Sequence, residues 1–498
     1  MTGAELDGLL EDGAEGRFWS EGGSQVPGKL TRGSGGVQVV TQGAARTSHG
    51  LHRKQGDGFI EITSSGDPKD LVADNDPIPL LGVLDDGRKV TISDARLASV
   101  PWPPPGQTLY GKVLLVGAHA PTSATTFVGA RFSLPEARIW RGIFPDSPEV
   151  DVTLTEGIGK LRAFTDGADS WLELTMDVGF TDFEWQRQFV GRCVTLLRLW
   201  TNIAWREQRV QLLPSTGEPW VDRVFVGERK SETSISQDCL LAPARLKLSV
   251  VADALGLFQR LAPIPDMASK HLMYEVTLEL AVLANASSLE GLHRRCRGDV
   301  KPYATLNDKR TRKVALAAAE AAADKMVELG AISANQRSQS LKHLKMSFKF
   351  FNYPDFKDRL RDFVGPAEIV APGLIGQDHE YWISTVVSVR NFEAHRFEKE
   401  PRDYQEQIDE YYQLATSTEW VLRLVLLLEL GVPLVELRSR LRDHQRFQYA
   451  LANMDACEFS WPGSRLAEYR AGTTPSVGTS YWIASSPLAS MAYAAGVL

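Results

Sequence analysis

The feature that most constrains the fold of this chain is a change of periodicity near residue 240. Before it, short segments rich in Val, Ile, Thr and Phe are separated by Gly, Pro and Asp-Gly turns, which is typical of antiparallel strands. Many short strands with frequent turns predict a sandwich-like or barrel-like domain. Seven segments are predicted strands: 37–41, 59–63, 90–92, 113–116, 150–154, 171–175 and 209–213.

After residue 240 the apolar residues recur at helical spacing. Asp378 is predicted to cap a helix whose inward stripe contains Trp382, Val386 and Val389. We therefore predict an α+β protein of several domains: a β-rich domain over 1–240, an all-α bundle over 241–455, and a tail over 456–498 that is expected to be poorly ordered. Further helices are predicted over 246–261, 272–297, 312–329 and 404–430.

Composition narrows the class of protein. The four cysteines, Cys193, Cys239, Cys296 and Cys457, lack the paired spacing of a zinc site or a redox dithiol, as expected in a reducing compartment. The first residues lack the basic start and apolar stretch of a signal peptide. The most apolar run, 421–428, is much shorter than the roughly 20 residues that span a bilayer. We predict a cytoplasmic protein without membrane association, metal or cofactor.

A net charge of −7 does not by itself indicate a nucleic-acid-binding protein. Basic residues nevertheless concentrate in one stretch, where they could guide RNA towards a cleft. A run of charges is more often the solvated face of a helix, and both interpretations stay open. The residues proposed for RNA binding are Arg294, Arg295, Arg297, Lys309, Arg310, Arg312 and Lys313.

A compact set of polar residues, Arg390-Asn391-x-x-x-His395, carries the chemistry expected of metal-free RNA cleavage. Arg supplies a permanent, forked cation that suits a phosphate. His gives and takes a proton near neutral pH. Asn391 and His395 are spaced i, i+4, so their side chains share a face of a helix. The motif predicts a phosphate-directed site on the helix that follows Asp378.

The spacing alone is weak evidence, because four Arg-to-His pairs with four or five intervening residues occur in the chain. Only Arg390 is followed by an amide. A surface helix with a salt bridge from the motif to Glu393 or Glu398 explains the same residues without any activity. The other three pairs are Arg46/His52, Arg337/His343 and Arg438/His444.

The motif does not stand alone along the chain. It resembles the catalytic motif of HEPN-domain ribonucleases, in which a polar residue follows the Arg. The order of further segments resembles the ApeA-like family of anti-phage abortive-infection proteins. The segments that carry this resemblance are 16–19 (GRFW), 26–30 (VPGKL), 81–91 (LGVLDDGRKVT), 127–140, 288–295 (SLEGLHRR) and 347–360.

The resemblance implies a metal-independent endoribonuclease that uses the RNA 2′-hydroxyl as nucleophile, in a phosphodiester cleavage of hydrolase or lyase type. His395 would move the proton, Arg390 would stabilise the phosphorane-like charge, and Asn391 would orient either group. The products would carry a 2′,3′-cyclic phosphate or 3′-phosphate and a 5′-hydroxyl, and DNA would be spared. Glu290 would contact the catalytic residues without touching the RNA itself.

The resemblance also implies partners. One His cannot easily act as both acid and base, so a homodimer or a higher homo-oligomer would bring two motifs together. The β-rich domain would be a sensor that restrains this antiviral toxin until a phage-derived activator arrives, and tRNA is one candidate substrate. Two alternatives stay open: a non-catalytic HEPN binding or regulatory module, and a carbohydrate- or peptide-binding β-domain that uses Trp19, Trp102 and Trp140.

Overall fold

The chain divides into two compact units, residues 1–259 and 260–498. The boundary lies within a helix, while the predicted boundary at residue 240 precedes that helix and stays a prediction. Most of the predicted tail lies outside the described residues. The computed structural model describes residues 3–33, 35–45, 51–56, 59–64, 76–99, 106–134, 140, 143, 149–166, 169–205, 209–226, 239–298, 308–349, 353–394 and 404–456.

The first unit begins with a helix, α1 (Gly3–Glu11), and is then dominated by strands. All seven predicted strand segments coincide with strands of the structure to within one residue. In chain order the strands are β1 (Ala14–Ser20), β2 (Val26–Gly33), β3 (Gly36–Thr41), β4 (Leu51–Gly56), β5 (Phe59–Ser64), β6 (Ile78–Leu84), β7 (Lys89–Ser99), β8 (Gln107–Gly111), β9 (Val113–Val116), β10 (Phe127–Ser133), β11 (Glu149–Thr153), β12 (Ile158–Asp166), β13 (Asp169–Phe180), β14 (Val210–Pro214) and β15 (Val221–Phe225).

Six antiparallel strands close into a barrel in the order β7-β6-β1-β2-β3-β8, because β8 pairs back onto β7. The first half of β7 instead pairs with β9, so the chain leaves the barrel at the bend between β8 and β9. Asp94 stabilises this bend, since its Oδ1 accepts hydrogen bonds from the backbone N–H groups of Lys112 at 2.8 Å and Val113 at 3.1 Å. Phe18 and Leu109 are among the apolar side chains buried in this part of the unit.

Beyond the bend an open antiparallel sheet continues in the order β9-β15-β14-β10-β13-β12-β11. Glu173 is almost fully buried there, and Arg162 Nη2 lies 2.6 Å from its Oε1. The Arg131 guanidinium lies 4.7 and 4.5 Å from the ring centroids of Trp171 and Trp220. Burial raises the pKa of the Glu173 carboxyl, against the lowering effect of the two arginines. The strand register places four polar residues side by side on adjacent strands: Arg162, Glu173, Arg131 and Gln211.

The sequence predicted neither α1 nor the longer helix that follows β13 in the first unit. This helix, α2, begins at Asp182–Trp185, passes through a π-helical turn at Gln186–Val190 and continues over Gly191–Thr201. Its start carries a capping box, in which Thr181 accepts from the Glu184 N–H and the Glu184 carboxylate accepts from the Thr181 N–H. The pattern Thr-x-x-Glu was visible in the sequence, but the surrounding strand pattern obscured it.

The second unit is helical, and each predicted helix is present within a few residues of its expected bounds. A helix over Arg337–Lys349 and one over Phe356–Val370 join them. The helices from the boundary onward are α3 (Leu248–Leu261), α4 (Ile264–Ser269), α5 (Leu278–Arg297), α6 (Asp308–Glu328), α7 (Arg337–Lys349), α8 (Phe356–Val370), α9 (His379–Ala394), α10 (Tyr404–Glu429), α11 (Leu434–Asp443) and α12 (Gln445–Ala456).

The predicted α+β class is confirmed: a barrel with further strands is followed by a helical unit. In the second unit α5 packs against α8, α9 and α10, and α10 is buried along most of its later half. Helix α6 packs on α7 and buries mainly Ala319 and Ala323. Among the described helices, none is long and apolar enough to cross a membrane.

Candidate active site

The motif lies at the end of α9, and the start of that helix is fixed as predicted. Asp378 Oδ1 accepts a hydrogen bond from the Tyr381 N–H at 2.9 Å, which satisfies a backbone donor of the first turn. Trp382, Val386 and Val389 are all buried. Trp382 also donates from Nε1 to Ser417 Oγ of α10 at 2.9 Å. Helix α9 packs on α5 and α8 and is hydrogen-bonded to α10, while Arg390 remains partly exposed.

Arg390 is held by a carboxylate on a different helix. Its Nη2 donates to Glu290 Oε2 on α5 at 3.1 Å, and its Nη1 donates to Asn391 Oδ1 at 3.1 Å. The other oxygen of Glu290 accepts from Arg294 Nη2 at 2.7 Å. The Glu290 side chain is 17% exposed, whereas Arg390 is 32% and Arg294 57% exposed. One half-buried carboxylate thus holds two guanidinium groups at the protein surface.

Helix α8 supplies the other side of the site. The Arg390 guanidinium lies 5.7 Å from the centroid of the Phe356 ring, at the first residue of α8. Helices α8 and α9 run antiparallel, because Lys357 Nζ donates to Ser384 Oγ at 3.2 Å while Arg361 contacts the earlier Glu380 at 2.7 and 2.8 Å. The hydrogen bond with Glu380 raises the pKa of Arg361, and the same contact lowers the pKa of Glu380. This forked pair fixes the register of the two helices.

A purely structural motif was expected to form a salt bridge with Glu393 or Glu398, but Arg390 pairs with a residue on another helix. Glu393, the first expected partner, accepts a hydrogen bond from the Tyr411 hydroxyl of α10. Arg390 forms its salt bridge with Glu290, 100 residues earlier in the chain. Glu398, the second expected partner, lies outside the described residues, and so does His395. The described part of α9 ends at Ala394, so the position of the imidazole stays a prediction from the i, i+4 spacing.

The basic residues proposed for RNA binding lie on two helices. Arg294, Arg295 and Arg297 belong to the last turns of α5, and Arg295 donates to the carbonyl of Ala262. The remaining four belong to the first turns of α6, where Lys309, Arg310 and Lys313 are exposed and the Arg312 side chain is not described. Arg294 is tied to the contacts of Arg390 through Glu290. Their role in RNA binding stays a prediction.

The arrangement provides cations and hydrogen-bond donors directed at one surface. Guanidinium groups stabilise charge that grows on a phosphate, most effectively where neighbouring side chains already hold them in place. Within the described ranges, no group of three or more His, Cys, Asp and Glu side chains has the geometry to hold a metal ion. Guanidinium groups held in this way can bind an anionic group such as a phosphate.

Comparison with known families agrees with this geometry. Residues 283–436 match the family model described as Apea-like HEPN. This segment is therefore similar to Apea-like HEPN domains. The match extends from α5 to α11, so it includes Glu290, Arg390 and Phe356, and it leaves the β-rich unit outside. No curated protein and no solved structure matches the chain significantly. The HEPN match supports a nuclease-type or regulatory module of the ApeA family.

Two contacts of the site were not predicted from the sequence. Phe356 and Lys357 belong to a segment that carries the family resemblance, yet nothing in the sequence relates them to Arg390. The antiparallel packing of α8 on α9 brings Phe356 to Arg390 and Lys357 to Ser384, six residues before Arg390. Helical-wheel plots of α8 and α9 show which residues share a face of each helix. They do not show which residues meet, because that depends on how the two helices are aligned along their axes.

Proposed function

We propose that the chain is a metal-independent endoribonuclease of anti-phage abortive-infection defence. The observation that carries this proposal is the fixed position of Arg390 within an Apea-like HEPN domain, with Asn391 beside it and His395 four residues further. Arg390 is half-exposed and oriented by Glu290, as a residue that stabilises charge on a phosphate should be. A solvated surface arginine needs no such support.

In the proposed reaction the RNA 2′-hydroxyl attacks the adjacent phosphorus, and the bond to the 5′-oxygen of the next nucleotide breaks. His395 takes the 2′-hydroxyl proton or gives one to the departing 5′-oxygen. Arg390 stabilises the charge on the phosphorane-like transition state. The products are a 2′,3′-cyclic phosphate and a 5′-hydroxyl. A homodimer or higher homo-oligomer would supply a second His395, so that acid and base are separate groups.

The β-rich unit is proposed as the sensor that restrains cleavage until a phage-derived activator is present, and tRNA as one substrate to test. The alternative is a HEPN domain that binds and regulates without cleaving. The family match supports both. The complete motif favours the nuclease, since a module that only binds has no need of a His spaced for proton transfer.

The test is cleavage of total cellular RNA by the purified full chain in the presence of a chelator. His395→Ala and Arg390→Ala should each reduce cleavage by roughly 100-fold or more, because general acid–base and electrostatic contributions are of that size. His343→Ala is the matched control: Arg337 and His343 on α7 form a similarly spaced pair, but Ser338 follows the Arg. It should cleave like the parent chain.

The ends of the RNA fragments identify the chemistry. Cyclic phosphate and 5′-hydroxyl ends, formed with chelator present, are expected. Equal cleavage by the parent chain and His395→Ala would reject the catalytic assignment. Absence of cleavage by the parent chain, tested together with a phage lysate, would favour the regulatory module.

A further inference from the structure

The ring of Phe356 is an unusual neighbour for a phosphate-directed arginine. It is the first residue of α8 and half-buried, and the Arg390 guanidinium lies 5.7 Å from its centroid. Two planar groups in full contact lie about 3.5–4 Å apart. At 5.7 Å the guanidinium is therefore not in full face-to-face contact with the ring. Because Phe356 is only partly buried, some of its surface is exposed next to Arg390.

The start of α8 holds this ring in place. Asp355 caps the helix by accepting from the Asp358 N–H at 2.9 Å, and Asp358 also accepts from Arg361 Nη1 at 2.6 Å. Side chains at the first position of a helix point back past its N-terminus. The ring of Phe356 is therefore presented at the end of α8, on the side of Arg390.

We propose that Phe356 is a base-stacking platform, so that the substrate must present an unpaired nucleotide next to the phosphate held by Arg390. This inference rests on the proposed ribonuclease function and specifies its substrate class as single-stranded or looped RNA. Proteins that read single strands combine aromatic rings for bases with cations for the backbone. A base in a duplex is stacked on both sides and cannot use the ring.

The test measures binding with probes that cannot be cleaved by 2′-hydroxyl attack. Fluorescein-labelled 2′-O-methyl oligonucleotides of mixed sequence are titrated as a single strand and as the matching duplex. Phe356→Leu should weaken single-strand binding by roughly 5- to 150-fold, since a stacked base contributes that much on aromatic removal, with duplex binding unchanged. Phe356→Trp should retain it. A thermal unfolding scan of each variant checks that the fold is kept.

Tyr381→Leu is the matched control. Tyr381 is an exposed aromatic on α9, nine residues before Arg390 and therefore roughly 14 Å away along the helix axis. Single-strand binding should be the same as that of the parent chain. Equal loss in Tyr381→Leu and Phe356→Leu, equal loss for duplex and single strand, or no binding of the single strand by the parent chain would each overturn the inference.

Cleavage of unmodified RNA by the same proteins separates this inference from the ribonuclease itself. If the parent chain cleaves and Phe356→Leu cleaves single strands equally well, the platform is rejected and the ribonuclease stands. If the parent chain never cleaves but binds single strands in a Phe356-dependent way, the ribonuclease is rejected and the platform stands. Cleavage that is lost selectively on single-stranded substrates in Phe356→Leu supports both.

Discussion

Replacing Glu290 tests whether Arg390 promotes RNA cleavage because the salt bridge with Glu290 holds its side chain in position. Glu290→Ala removes the 3.1 Å contact to Arg390 and the 2.7 Å contact to Arg294 together. Exposed ion pairs contribute less than about 1 kcal/mol, and hydrogen bonds to charged groups up to about 3 kcal/mol. Because Glu290 is 17% and Arg390 32% exposed, we expect a value near the lower end, about 1 kcal/mol.

A loss of about 1 kcal/mol corresponds to about a fivefold lower population of the held Arg390 side chain. We therefore expect kcat for RNA cleavage to fall about fivefold in Glu290→Ala. KM should fall as well, because a negative charge that repels the RNA phosphate is removed. Glu290→Gln keeps an oxygen that accepts from Arg390, so its kcat should lie between those of the parent chain and Glu290→Ala.

Steady-state cleavage of a fluorogenic RNA, measured at several substrate concentrations, separates the two constants. A matched control is Glu328→Gln, which weakens the more exposed pair with Lys325 on α6, away from the motif. An unchanged or increased kcat in Glu290→Ala would refute the reasoning. It would mean that Glu290 competes with RNA for Arg390 rather than positioning it.

Three further predictions concern the fold. Arg131→Met leaves the Glu173 carboxylate buried with one partner fewer, and should lower the free energy of unfolding by about 2 kcal/mol in urea titrations. Burial alone would raise the pKa of the Glu419 carboxyl, but His271 and a neighbouring arginine outweigh it and lower that pKa. The ionised Glu419 carboxylate therefore stabilises the fold above pH 4.5, and this contribution is lost as the pH falls through the lowered pKa. The free energy of unfolding, measured from unfolding curves at pH 3–7, should show this loss in the parent chain. In Glu419→Gln the loss should be absent. Burial raises the pKa of Cys296 to about 12, so peptide mapping should find it unmodified by maleimide at pH 8 unless the chain is first unfolded.

Much of the secondary structure was predictable because it depends on local periodicity. The strand pattern of 171–175 and the apolar spacing of 404–430 each need only a few neighbouring residues to be recognised. The helix over Gly191–Thr201 was missed because its capping signal, at Thr181, lies within a region dominated by strand patterns. The closure of the barrel was also beyond prediction, because it depends on the two halves of β7 pairing with different strands.

The sequence by itself determined the residue types of the candidate site and their spacing along one helix, because Arg390, Asn391 and His395 lie within six positions of each other. It also determined the change from strands to helices, which follows from periodicity. Only the tertiary structure decided which groups surround Arg390. Glu290 lies 100 residues earlier and Phe356 34 residues earlier, and they meet Arg390 through the packing of α5 and α8 on α9. Contacts between distant residues depend on how whole helices cross and rotate against one another. The packing of the buried faces of all these helices determines that arrangement, so short sequence motifs do not reveal it.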